Sequence, residues 1–128
     1  MRNITPLLLL LATGCGPDLI GDWEGECDFN TYDFDIELEI DEVDGRDFTG
    51  DVDAVLRTGN DPVSYSGTLE GTRDGLEVDI TLTMEVVSGP QAGNQARVEL
   101  EGEIDDDQIT GECDSEGTDG ELDLDFQG

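Results

Sequence analysis

From Tyr32 to Asp41 the chain reads Tyr-Asp-Phe-Asp-Ile-Glu-Leu-Glu-Ile-Asp, alternating apolar and acidic residues without a slip. In an extended chain successive side chains point to opposite faces, so this stretch buries an apolar face only as a strand whose other face is wet. The pattern recurs along the chain. Leu19–Asp28 sets Trp23, Gly25 and Cys27 against Asp22, Glu24 and Glu26, and the strand holding the opening stretch, from Tyr32 to Val43, turns Tyr32, Phe34, Ile36, Leu38 and Ile40 inward. Arg46–Leu56 follows with Phe48, Gly50, Val52, Ala54 and Leu56 inward, then Val63–Gly71 with Val63, Tyr65, Gly67 and Leu69. Leu76–Val87 carries Leu76, Val78, Ile80, Leu82, Met84 and Val86; Gln95–Ile104 carries Ala96, Val98, Leu100, Gly102 and Ile104. The last two are Gln108–Asp114, with Ile109, Gly111 and Cys113 inward, and Gly120–Gln127, with Leu122, Leu124 and Phe126.

The connections carry turn chemistry. Asp44-Gly45 and Asp74-Gly75 read as tight hairpin turns, Asp105–Asp107 as a turn, and the segments 58–62, 88–94 and 115–119 as loops. No segment has a helical period. Short connections make sequential strands antiparallel. Eight antiparallel strands with one apolar face predict an all-β fold, an antiparallel up-and-down β-barrel that buries that face and leaves no open edge. A two-sheet sandwich is the alternative, and longer crossover connections would accompany it. Inward glycines at 25, 50, 67, 102 and 111 suit the sharp bends of a small barrel.

Charge narrows the function classes. Of 128 residues, 34 are acidic and 5 basic, a formal net charge of −29, with no His and no Lys. Such a field repels nucleic acid and anionic membrane surfaces and suits cations or basic proteins. Without His the commonest general base and metal ligand is missing. Ser64, Ser66, Thr68 and Thr81 fall on outward faces with no base beside them, and no carboxylate falls among the inward residues, where a raised pKa would be expected. The expectation is a protein that is not an enzyme.

The N-terminus reads as an address. Met1-Arg2-Asn3 precedes the apolar run Pro6–Ala12, which is too short to span a bilayer. Leu11-Ala12-Thr13-Gly14-Cys15 resembles a bacterial lipobox, with Gly14 before the Cys that would be cleaved and lipidated. The resemblance implies a signal peptide over 1–14, a lipidated Cys15 with a tether over 15–18, and a barrel domain over 19–128. The alternative is an ordinary secretory signal with an incidental Cys. Gly16 after the Cys implies, by the same family rule, anchoring in the outer membrane. If Cys15 carries lipid, Cys27 and Cys113 remain as a pair in an oxidising compartment. Both lie near the ends of strands that run the same way, at one rim, although the last strand lies between them and two strand spacings span about 10 Å, which is long for a bridge. Two buried free thiols are the alternative.

Gly21-Asp22-Trp23 resembles the Gly-x-Trp that opens lipocalin-like barrels, and Thr49-Gly50-Asp51, Ser66-Gly67-Thr68 and Thr110-Gly111-Glu112 look like strands of small avidin-like barrels. Similarly small lipocalin-like inhibitors of secreted bacterial metalloproteases share the first-strand Trp and a disulfide. The resemblances imply a binding or interaction module, with a small apolar ligand as one occupant; a periplasmic protease inhibitor is the second reading. An eight-stranded barrel either fills its interior or holds one small ligand. Trp23, Tyr32, Phe34, Tyr65 and Phe126 are the candidate lining, a packed core being the alternative. Asp41, Asp44 and Asp47, and the run Asp105, Asp106 and Asp107, could offer oxygen ligands to Ca²⁺, against the alternative of a solvated acidic wall; no other cofactor is implied.

Overall fold

The computed structural model describes residues 19–30, 32–57, 62–88 and 90–128. Its eight strands are β1 (Gly21–Asp28), β2 (Asp33–Asp44), β3 (Asp47–Arg57), β4 (Val63–Asp74), β5 (Glu77–Val86), β6 (Gln95–Asp105), β7 (Gln108–Ser115) and β8 (Thr118–Phe126). Each pairs antiparallel with the next, and β8 returns to pair with β1, closing the barrel. The closing register sets Trp23 opposite Phe126 and Cys27 opposite Leu122. The architecture is therefore the expected up-and-down barrel and not the sandwich.

The alternation decides the interior. Trp23, Ile36, Leu38, Leu82, Leu100, Ile104, Ile109 and Leu124 are all at most 1% exposed, and no polar or charged residue is buried among the described residues. Strong curvature depends on glycine at two clear places. A Cβ on Gly67 would stand 2.0 Å from the Thr83 carbonyl oxygen, and one on Gly111 would stand 2.0 Å from that of Glu101. No side chain fits there, so the neighbouring strand can wrap in against the bare backbone. In β2 a bulge between Ile40 and Glu42 leaves Asp41 as the extra residue.

Two details differ from the sequence reading. The two-residue turns are Gly45-Arg46 and Gly75-Leu76, one residue later than expected, with φ of +64° and +65° at the glycines. Glycine thus takes the first turn position, where positive φ is required. Leu76 consequently leaves the inward face and is 53% exposed. The expected loop 115–119 contracts to the two-residue turn Glu116-Gly117, in which both residues have positive φ and the Asp114 carboxylate accepts the Gly117 N–H. Strands β7 and β8 are longer as a result.

Cys27 and Cys113 form the disulfide, with their Cα atoms 6.1 Å apart. The flat-sheet spacing that made this bridge look long does not apply. Cys113 pairs with Gly120 on β8, and a Cβ on Gly120 would stand 2.7 Å from the Asp28 carbonyl oxygen. The bare backbone of β8 lets the ends of β1 and β7 draw together across it.

Candidate functional site

Up-and-down topology gives the barrel two unlike ends. One end holds the start of β1 and the β2–β3, β4–β5 and β6–β7 turns. The other holds the β1–β2, β3–β4, β5–β6 and β7–β8 connections and the disulfide.

The first end is closed. The Trp23 indole is fully buried, donates its Nε1–H to the Leu19 carbonyl at 3.0 Å, and lies 5.0 Å from the Phe126 ring between centroids. Leu19 and Phe48 are buried with it. The C-terminal residues tie down the same end: Asp22 N–H donates to the Gly128 carbonyl and Gln127 N–H to that of Asp22. Trp23 and Phe126, two of the five aromatic candidates, thus belong to a plug.

The other three meet at the opposite end. Tyr32, Phe34 and Tyr65 line a small cavity of about 60 Å³ together with Phe29, Leu56 and Val98. Phe34 and Tyr65 stand edge to face, 5.5 Å apart at 84°, and Phe29 and Tyr32 lie 5.1 Å apart at 31°. Phe29 N–H donates to the Tyr32 carbonyl, and Asn30, at φ +74°, donates its N–H to the Asp28 carboxylate, so the β1–β2 turn itself sets the second pair. Sequence reasoning missed Phe29, which lies beyond the end of β1. Its signal was parity, since it continues the inward series Trp23, Gly25, Cys27 by one further step. The Tyr65 hydroxyl is pushed above the usual tyrosine range, first by burial and then by Tyr32 and the charge of Glu116. At this mouth the aromatic lining meets an acidic rim.

The outer wall is carboxylate against carboxylate. Glu24 stands opposite Glu37 on one side and Asp125 on the other, and Glu26 opposite Asp35 and Asp123. Every pair of neighbouring strands sets at least one acid opposite another except β3–β4, where Asp51 and Asp53 face Thr68 and Ser66. Partial desolvation holds Glu26 above the ordinary carboxylate range, and the charges of Asp33, Asp35, Asp28 and Asp123 add to it. Arg57 pairs with Asp35, whose hydrogen bond and then charge keep the guanidinium more firmly protonated.

Asp41, the extra residue of the β2 bulge, lies beside Glu39 and Asp51, and one carboxylate oxygen of each lies within 4.8 Å of the others. Of the Ca²⁺ candidates, Asp41 joins this exposed trio, while Asp44 and Asp47 face each other at the base of the β2–β3 turn. Asp105 ends β6 and pairs with Gln108, with Asp106 and Asp107 in the turn between them. Cys15 lies outside the described residues.

These features define a small, filled, acidic β-barrel with one end plugged and an aromatic mouth at the other. Comparison with protein-family models, with curated proteins and with solved structures finds no match.

Proposed function

We propose that this chain is a bacterial lipoprotein, anchored through Cys15 in the outer membrane, whose barrel acts as a binding module with its site at the aromatic mouth. The observation that carries the reading is the contrast between the ends. Leu19 and the start of β1 lie at the plugged end, so a tether from Cys15 would enter there. Four residues of extended chain reach roughly 14 Å, which keeps the plugged end near the bilayer and turns the mouth away from it. Of the four large apolar residues more than 40% exposed among the described residues, Ile20, Val43 and Leu76 lie toward that same end and Val87 toward the mouth. The outward faces of the strands are acidic, the reverse of the apolar belt of a barrel that crosses a membrane with its strands.

The size of the mouth sets what it takes. Sites for drug-sized ligands run from about 300 Å³ upward, whereas this cavity is about 60 Å³. It suits one compact apolar group, such as a small ligand's head or a partner's side chain, and not an acyl chain. The test has two parts on one preparation. The full chain, expressed in a Gram-negative host, is expected in the membrane fraction with a lipid-modified Cys15, and Cys15→Ser is expected in the soluble fraction. The aromatic NMR signals of the full chain in maltoside micelles are then followed during titration with 3,3-dimethylbutanol. Saturable shifts at Tyr32, Phe34 and Tyr65 support the reading. An unlipidated Cys15, or a probe that moves no mouth ring, contradicts it.

A further inference from the structure

We infer that the mouth recognises an alkylated ammonium group, a compact cation clothed in methyl groups; this rests on the mouth being the binding site. Three observations converge on that chemistry. Four aromatic rings from two separate segments line one cavity, with Phe34 and Tyr65 packed edge to face beside it. Ring faces carry the negative side of the aromatic quadrupole and attract a cation that needs little hydration.

Size is the second. At about 60 Å³ the cavity exceeds the roughly 10–15 Å³ that admits one water, yet remains too small for a long chain. A branched head would enter and the rest of its molecule would extend outward past the turns.

Charge is the third. The lining itself holds no ionised group, while acids surround it: Asp28 and Asp33 flank the Phe29–Tyr32 turn, and Glu116 is close enough to Tyr65 to act on its hydroxyl. Among the described residues the arginines on strands near this end are Arg57 and Arg97, and each is paired with a carboxylate, Asp35 and Glu99. A net charge of −29 draws cations toward the whole molecule. The largely apolar walls then select against a bare metal ion or a primary ammonium, which would surrender most of its hydration for the few hydroxyls of Tyr32, Tyr65 and Ser115. A neutral apolar head gains the packing but not the field.

The test uses the full chain in maltoside micelles and compares choline, its neutral isostere 3,3-dimethylbutanol, and ammonium, reading the Tyr32 and Tyr65 ring signals by NMR. The expected result is saturation by choline with a dissociation constant roughly tenfold below that of the isostere, and no saturation with ammonium. Tyr65→Phe, which keeps the ring, is expected to retain binding, and Tyr65→Leu to lose about tenfold. Equal affinity for choline and the isostere overturns this inference and leaves a plain apolar mouth. Binding of neither overturns the mouth as a site altogether. Choline shifts that persist unchanged in Tyr65→Leu place the cation on the acidic wall and also overturn the inference.

Discussion

The two ends of this barrel are built from the same residue types and do opposite things. At the plugged end Trp23 is fully buried, its polar N–H is matched by the Leu19 carbonyl, and the chain after β8 hydrogen-bonds across it. At the mouth Tyr32 and Tyr65 are only partly buried, and the rings surround space. An aromatic with its polar atom satisfied and its faces covered contributes stability. Aromatics left half covered at a rim contribute little stability and leave faces for a ligand. The difference assigns architecture to one end and recognition to the other.

Substitutions should separate the ends, and the largest effect belongs to the plug. Trp23→Ala removes the most deeply buried large ring together with its hydrogen bond, and is expected to cost about 3–5 kcal/mol in urea unfolding. Breaking the Cys27–Cys113 bridge with a double Cys→Ala variant is expected to cost about 2–4 kcal/mol. Because the bridge sits at the mouth rim, that variant should also weaken binding there, which Trp23→Ala should do only through unfolding. Gly111→Ala places a methyl against the Glu101 carbonyl; it is expected to cost about 1–3 kcal/mol, as overpacking does. Tyr32→Leu, at the rim, should cost under about 1 kcal/mol while weakening the saturable response of the mouth about tenfold. If Tyr32→Leu proved as damaging as Trp23→Ala, the contrast between the ends would collapse.

The acidic wall belongs to neither end and gives the smallest effect per contact. Acids directly opposite on neighbouring strands destabilise by roughly 0.2–1 kcal/mol per pair, and salt shortens the range of that repulsion to about 3 Å near 1 M. Melting temperature should therefore rise from low to molar salt, and a flat profile would contradict it. Acidification acts in the same direction. The Glu26 carboxyl is held above its ordinary value in the folded barrel, so the folded state binds that proton more tightly than the unfolded chain. Its contribution is fully present below the unfolded value and lost as pH rises through the folded one. Melting temperature should rise as pH falls from 7 into the carboxylate range, and Glu26→Gln should flatten part of that rise.

Much of the barrel was legible because period two leaves little freedom. Tyr32–Asp41 admits one buried face, and its repetition with short connections leads to closure. What was not legible depended on curvature and on single positions. Leu76 kept the inward parity but fell in a turn, because Gly75 supplies the positive φ one place earlier in the hairpin than Asp74-Gly75 suggested. The distance between Cys27 and Cys113 followed from Gly120 letting β8 approach β1, which no flat-sheet spacing conveys. The five aromatics were visible as inward residues, but only closure in three dimensions divides Trp23 and Phe126 from Tyr32, Phe34 and Tyr65. Asp41 was visible as an outward acid two places from Glu39, and only the pairing of β2 with β3 adds Asp51 to them.

The most direct test of the division between the ends is one NMR titration of the full chain with choline, reading both ends in the same spectra. The account predicts saturable movement of the Tyr32, Phe34 and Tyr65 rings with the Trp23 indole signal unmoved. Movement of Trp23 and Phe126 with the mouth rings unchanged would put recognition at the plugged end and contradict it.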